Sequence, residues 1–299
     1  FMPHRVGYCC INTQLNKSGV TTGRTMRKAT FESKGLAYAS ELALDNARDL
    51  VKILRWNADN DINVFRMGSG LIPWGTEYKL EDLPDYYNIL DELQLAGDIA
   101  ESTNQRITAH PDHFVKIASA NPAVVANSVK ELELHSRIFD FMGLSTAHYN
   151  AINIHVGMNF SAEVADRWCA TFKTLSKNLQ NRLVVENDDK ANGFSVRKLY
   201  QHITSTTYVP ITFDYFHHEL HPDGMSSEDA AKLAHSTWAP YITPLFHYSE
   251  SKKLNEAVDC NQTAHADYVF NKIDDYGLTL DIDLEAKAKE LAVIKYRSL

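Results

Sequence analysis

The 299-residue sequence has no apolar run near the roughly 20 residues that a membrane-spanning helix needs, so a membrane span is not expected. Its start carries no charged–apolar–small pattern of a secretory leader. Four cysteines (Cys9, Cys10, Cys169, Cys260) show no CxxC spacing and are expected to be reduced thiols of a cytoplasmic protein. No Gly-rich phosphate loop follows the first apolar run, and no dinucleotide fingerprint occurs anywhere, which argues against hydride transfer. Low-complexity segments, short repeats and an interdomain linker are also missing. One domain spanning 2–299 is expected, with Phe1, which precedes Met2, read as a remnant outside it. Basic charge is in deficit too, with 30 Lys and Arg against 38 Asp and Glu and a net charge of −8. A generic nucleic-acid coat protein would be basic.

Two features qualify that deficit. Acids gathered to hold divalent cations have part of their charge cancelled by the bound ions. The basic residues are also unevenly spread, since 16–35 carries Lys17, Arg24, Arg27, Lys28 and Lys34 against a single acid, Glu32. That stretch reads either as a solvated loop or as one that contacts phosphates.

What is present is a recurring pattern. β-rich runs lie at 5–12, 63–69, 106–111, 151–157, 182–188, 210–217, 241–249 and 278–285. Amphipathic stretches separate them, such as "SELALDNARDLVKILRWNADN" and "NPAVVANSVKELELHSRIFDFMGL". Asn121 is placed to cap the second of these, with Pro122 in its first turn. Eight strands alternating with helices imply an α/β fold, a single (β/α)8 TIM barrel rather than a doubly wound sheet.

Chemistry in such a barrel gathers where the strands end. In order, those ends carry Tyr8 and Asn12, Arg66, His110, His155, Glu186 with Asn187 and Asp188, Asp214 and His217, His247, and Glu285, with His265 just after the seventh strand. Taken singly, a strand-end histidine is an ordinary hydrogen-bonded rim residue and a glutamate an ordinary ion-pair partner. Together, several carboxylates in one mouth would repel unless cations intervened. Neutral imidazoles between them suit Zn2+ or Mn2+. A multinuclear divalent-metal site accounts for the whole set. Two or three ions per chain are expected, Mn2+ first, with Zn2+ or Mg2+ as alternatives. Glu186 and Asp214, on adjacent strands, are the natural bridges for hydrolysis of a phosphodiester. His135 falls mid-helix and is expected to be structural; His4, His202, His218, His221 and His235 are expected at the surface, and His148 has no role.

These residues resemble the UV damage endonucleases, barrel enzymes related to the abasic-site endonucleases of the endonuclease IV type. The resemblance is carried by "RVGYCCIN", "FRMGSGLIPWG", "RITAHPDHFV", "NIHVG", "LVVENDD", "FDYFHH", "HYSE", "HADYV" and "DIDLEAKAKE", nearly end to end. It implies incision of damaged double-stranded DNA on the 5′ side of ultraviolet photoproducts, and at abasic sites. It implies ligands for a first ion at His110, His155 and Glu186, for a second at Glu186, Asp214, His247 and Glu285, and for a third at His217 and His265. Tyr8 and Asn12 would lie against the lesion and the scissile strand and, with Glu186, form the catalytic set. Contacts to DNA are expected from Lys17, Arg24, Arg27, Lys28, Arg66, His113 and Phe114.

The sequence departs from the family pattern twice. His113 and Phe114 stand where many members carry a Gln-Tyr pair that probes the helix, and Leu245 stands where the family usually has a lysine near the metals. The first puts the lesion preference in question, the second the number of ions. Two rival readings therefore stand beside the endonuclease: a damage-binding homologue that has lost catalysis, and a sugar isomerase or epimerase on the same barrel. No protein partner is required, and a monomer is expected.

Overall fold

A computed structural model describes residues 4–299; Phe1 and Met2, where the domain boundary is drawn from the sequence, lie outside the described residues. All eight expected strands form: β1 (His4–Cys9), β2 (Val64–Met67), β3 (Arg106–Ala109), β4 (Ile152–Ile154), β5 (Leu183–Glu186), β6 (Ile211–Thr212), β7 (Leu245–Tyr248) and β8 (Leu280–Leu284). They pair in parallel in the order β6-β5-β4-β3-β2-β1-β8-β7. The two outer strands meet only at the rim, through a parallel bridge between Asp214 and His247 and a 2.9 Å bond from the His247 N–H to the Phe213 carbonyl. The barrel is thus closed by the segment that carries two candidate ligands.

Most strands are shorter than the β-rich runs of the sequence because their last residues leave the ladder at the mouth, while β7 and β8 lose residues chiefly at their starts. Helices cover the outside. Pro122–Phe141 begins where expected, with the Asn121 side chain accepting from the Ala123 N–H and Pro122 in the first turn. The helix Lys28–Asp59 starts earlier than its apolar periodicity suggests and breaks at Gly35, whose φ of 65° only glycine adopts without strain. Lys28 and Lys34 of the basic 17–34 stretch therefore lie on a helix rather than in a loop.

Alternation along each strand sorts side chains into two layers. Outward residues join the large apolar core under the helices, while Val64, Ala151, Val184 and Leu245 pack with Trp238 and Ile242 in a separate inner cluster. Gly7 faces this interior, where a Cβ would lie 1.7 Å from the Val64 carbonyl oxygen. Residues two positions further along the same inward faces form the mouth.

Candidate metal centre

Glu186, at the end of β5, is the hub. Its Oε1 receives the Asn153 amide at 2.7 Å and lies 3.2 Å from His110 Nε2, 3.4 Å from His155 Nε2 and 3.2 Å from His247 Nδ1. Its Oε2 lies 3.2 Å from His217 Nδ1. Asp214 caps the short helix Tyr215–Leu220 with one oxygen, accepting the His217 N–H at 2.8 Å. Asn187 holds Asp214 from both sides of its peptide, accepting its N–H at 2.8 Å and donating to its carbonyl at 3.1 Å. Two sets of side chains each bring one donor atom within 4.8 Å of all the others: His110, His155 and Glu186, and Glu186, Asp214, His247 and Glu285. These are the first two ligand sets that the sequence resemblance implies.

Ring orientation follows from what holds the other nitrogen. His110 leans Nδ1 on the Pro111 carbonyl at 3.0 Å, and His155 leans Nδ1 on Asp188 at 2.7 Å, so both aim Nε2 at Glu186. His217 and His265 rest Nδ1 on the carbonyls of Asn187 and Glu285, each at 2.9 Å, which leaves Nε2 free. That pair forms no compact set with a third ligand among the described residues. The donor chemistry fits divalent cations, because Asp214 Oδ2 and Glu285 Oε1 are buried without a hydrogen-bond partner.

Electrostatics agree with that fit. Burial alone would raise the Glu186 pKa, yet His155 and His247, with hydrogen bonds from His110 and His217, hold it well below the carboxylate range. Burial lifts Asp214 well above that range, and the charges of Glu186 and Glu285 add to the lift, against the pull of His217. Burial disfavours protonated His217 and His155, but the nearby carboxylates win and raise both. His110 is lowered by burial. Without cations, the carboxylates of the cluster favour the protonated forms of His155 and His217.

Other expected site residues lie elsewhere. Arg66 is buried rather than displayed to a phosphate; β2 turns it into the barrel, with Nη1 3.2 Å from Glu285 and Nη2 2.9 Å from His247 Nε2. Tyr8 points outward because Gly7 and Cys9 take the inward positions of β1. Its hydroxyl donates to Asn57 at 2.6 Å and accepts from Asn12 at 3.1 Å, and both Tyr8 and Asn12 are buried. The structure does not bring this pair to the ring. Arg24 is committed to Asp49 at 2.7 Å and to the carbonyls of Thr21 and Gly19. Lys17, Arg27 and Lys28 are exposed. Phe114 is 71% exposed, beside the equally open His113 with ring centroids 4.1 Å apart. Both flank a cleft of about 340 Å³ that reaches His110, His155 and His217 and includes Lys116 and Lys190, His113 lining it directly.

Several histidines expected at the surface are buried, namely His4, His218 and His221. His218 Nε2 bonds the Met225 carbonyl at 3.0 Å, a role that the "HHELH" run hides. His135 is structural as expected, bonding the Glu131 carbonyl at 2.7 Å. Sequence reasoning missed Asn153 and Asp283 as parts of the centre. Period-two alternation would have flagged both, since Asn153 shares its strand face with His155 and Asp283 with Glu285. All four cysteines are free.

Fold and site together define a TIM barrel with a candidate metal centre at its mouth. The barrel itself is shared with endonuclease IV from Thermus thermophilus (TM-score 0.56, 11% identity, 98% of each chain) and with a D-psicose 3-epimerase (TM-score 0.51, 14% identity, 79% of this chain and 78% of that one), a likeness of fold alone. The model of the UV-endonuclease UvdE family matches residues 4–298, and the chain belongs to this family. The crystal structure of SacUVDE superposes with a TM-score of 0.84 at 30% identity, covering 99% of this chain and 97% of that one. The UV-damage endonuclease of Schizosaccharomyces pombe is 32% identical over 97% of this chain, and a putative UV-damage endonuclease of Acanthamoeba polyphaga mimivirus is 29% identical over 97%. The chain spans 50% of the length of the first and 89% of the second. No helix among the described residues is long and apolar enough to cross a membrane.

Proposed function

We propose that this protein is a metal-dependent DNA repair endonuclease that nicks duplex DNA on the 5′ side of ultraviolet photoproducts, and abasic sites as well. The observation that carries the reading is the sharing of Glu186 between two compact donor sets at one barrel mouth. A carboxylate common to two cation sites is what in-line displacement at phosphorus needs. His110, His155 and Glu186 would hold one ion, and Glu186, Asp214, His247 and Glu285 a second, with His217 and His265 offering Nε2 to a third. When bound, the ions, with Mn2+ the favoured identity, supply Lewis acidity toward the scissile phosphate and its water.

The chain's own residues do the rest. Asp188, Pro111 and Asn187 fix the imidazoles so that no reorganisation is needed at the moment of reaction. Phe114, standing free at the edge of the cleft, is shaped to wedge or stack against unpaired bases. Damaged base pairs cost less to unstack, so deformability selects them. Lys17, Arg27, Lys28, Lys116 and Lys190 supply positive charge for the backbone.

Nicking of supercoiled plasmid with added Mn2+ tests the proposal. Irradiated plasmid should be cut, unirradiated plasmid spared, and EDTA should abolish cutting. Equal cutting of both plasmids, or indifference to EDTA, refutes it. Tight binding of irradiated DNA without nicking would favour the non-catalytic reading that Leu245 raises. That leucine is wholly buried in the inner apolar cluster and offers the ions no donor atom.

A further inference from the structure

His247 differs from every other histidine of the centre. The other four turn Nδ1 to a backbone carbonyl or to Asp188. His247 has neither behind Nδ1, which faces the mouth carboxylates 3.2 Å from Glu186 and 3.5 Å from Glu285, as His217 Nδ1 also lies 3.2 Å from Glu186, and it sends Nε2 down into the barrel. There Arg66 Nη2 lies against the ring, 2.9 Å from Nε2 and 3.3 Å from Nδ1, and Asp283 Oδ2 stands 3.8 Å from Nε2, a gap that a hydrogen bond between them would have to close. Asp283 is completely buried, and neither of its oxygens has a hydrogen-bond partner. Its nearest cation is Arg66, whose Nε is 3.7 Å away and whose Nη1 reaches Glu285 at 3.2 Å.

Valence decides how these groups must arrange themselves. A neutral imidazole that gives its Nδ1 lone pair to a cation carries its proton on Nε2, and that proton needs an acceptor. Guanidinium has none to offer. The orphaned carboxylate of Asp283 does, and a buried carboxylate left unbonded is costly enough to call for a purpose. We propose that Asp283 is the positioning residue of the second cation site. It accepts the Nε2–H of His247 and so fixes Nδ1 as the ligating atom, while Arg66 ties Asp283 to Glu285 and keeps both on the same register of the site. This rests on the reading of Glu186, Asp214, His247 and Glu285 as ligands of one ion. A mere structural ion pair between Asp283 and Arg66 would have no effect on which nitrogen of His247 binds.

Two measurements on the full chain test the pair. Mn2+ titrations followed by electron paramagnetic resonance compare wild type with Asp283→Leu and Asp283→Asn, and His155→Ala assigns the first site by its loss. Asp283→Leu should weaken the second site by about 10- to 100-fold, the usual cost of losing an orienting partner, and leave the first unchanged. Asp283→Asn keeps a carbonyl acceptor and should recover most of that loss. In Zn2+-loaded wild type, long-range 15N NMR should show His247 protonated at Nε2 and ligated through Nδ1. Ligation through Nε2, or a folded Asp283→Leu protein with both affinities intact, overturns the proposal. The NMR result stands alone if Asp283→Leu does not fold. Wild type that binds no Mn2+ at all would bring down the metal reading itself, a result distinct from binding that ignores Asp283.

Discussion

Both ends of the barrel interior are charged, and they treat their charges in opposite ways. At the lower end Arg106, fully buried, donates to the carbonyls of Tyr149, Thr243 and His148 at 2.6, 2.6 and 3.1 Å and to Asp281 at 3.1 Å. Arg5 grips the same aspartate through two bonds of 2.9 and 2.7 Å. Each donor there has a protein acceptor, and the network closes on itself. At the upper end Asp214, Asp283 and Glu285 keep buried oxygens with no partner, and carboxylates approach one another around Glu186. A buried charge that the protein satisfies serves the fold; one that it leaves open waits for something else. The contrast separates a structural cluster from a functional one without reference to residue type.

Substitutions at the two ends should therefore fail differently. Glu186→Gln removes the donor common to both ligand sets, and nicking of irradiated plasmid should drop by roughly 10³-fold, the scale of losing a preorganised electrostatic element. Its thermal midpoint without metal should fall only by the support that Glu186 gives protonated His155 and His217, a loss that shrinks as pH rises. Arg106→Ala should do the reverse, costing about 3–5 kcal/mol of stability in urea unfolding because it breaks a buried pair, while the folded fraction keeps its Mn2+ affinity. If Arg106→Ala loses metal instead of stability, the two ends are not separable.

A smaller effect is expected outside the barrel interior. Phe114→Ala should weaken binding to irradiated duplex by about 1–3 kcal/mol, the worth of stacking on one base, with no change in metal content. Equal weakening for intact and irradiated duplex would reduce Phe114 to a general contact.

The finest test is pH. His155 and His217 have pKa values raised by neighbouring carboxylates, so their protons stabilise the metal-free fold below the unfolded value of 6.5, and that support is lost as pH rises through the raised values. Asp214, also raised, has the same sign, since its charge forms at the expense of the folded state. Chelator-treated protein should thus melt at lower temperature as pH climbs above 6.5, whereas Mn2+-loaded protein should not, because cation binding displaces those protons. A flat profile without metal would mean that the histidines do not balance the charge of the mouth.

Much of this contrast was legible in the sequence, and the exceptions have physical causes. Strand-end positions point to Glu186, Asp214, His110, His155, His247 and Glu285, and the structure gathers them because a barrel delivers successive strand ends to one rim. Arg66 was misplaced as a DNA contact because a strand-end position does not by itself say whether a side chain turns inward. Tyr8 is hidden for the same reason, one residue out of phase with the interior. Arg24 looked free because its partner, Asp49, is far along the chain on a helix. Asp281 and Asp283 were indistinguishable in "LTLDIDLE"; only the positions of Arg5, Arg106 and His247 around them reveal that one is satisfied and the other open.

The central claim is that the open charges of the upper rim are a cation site. Anomalous diffraction at the manganese edge from crystals soaked in Mn2+ addresses it most directly. The account predicts one peak bounded by His110, His155 and Glu186 and a second bounded by Glu186, Asp214, His247 and Glu285. A rim without peaks, its carboxylates paired instead with neighbouring side chains, would contradict it.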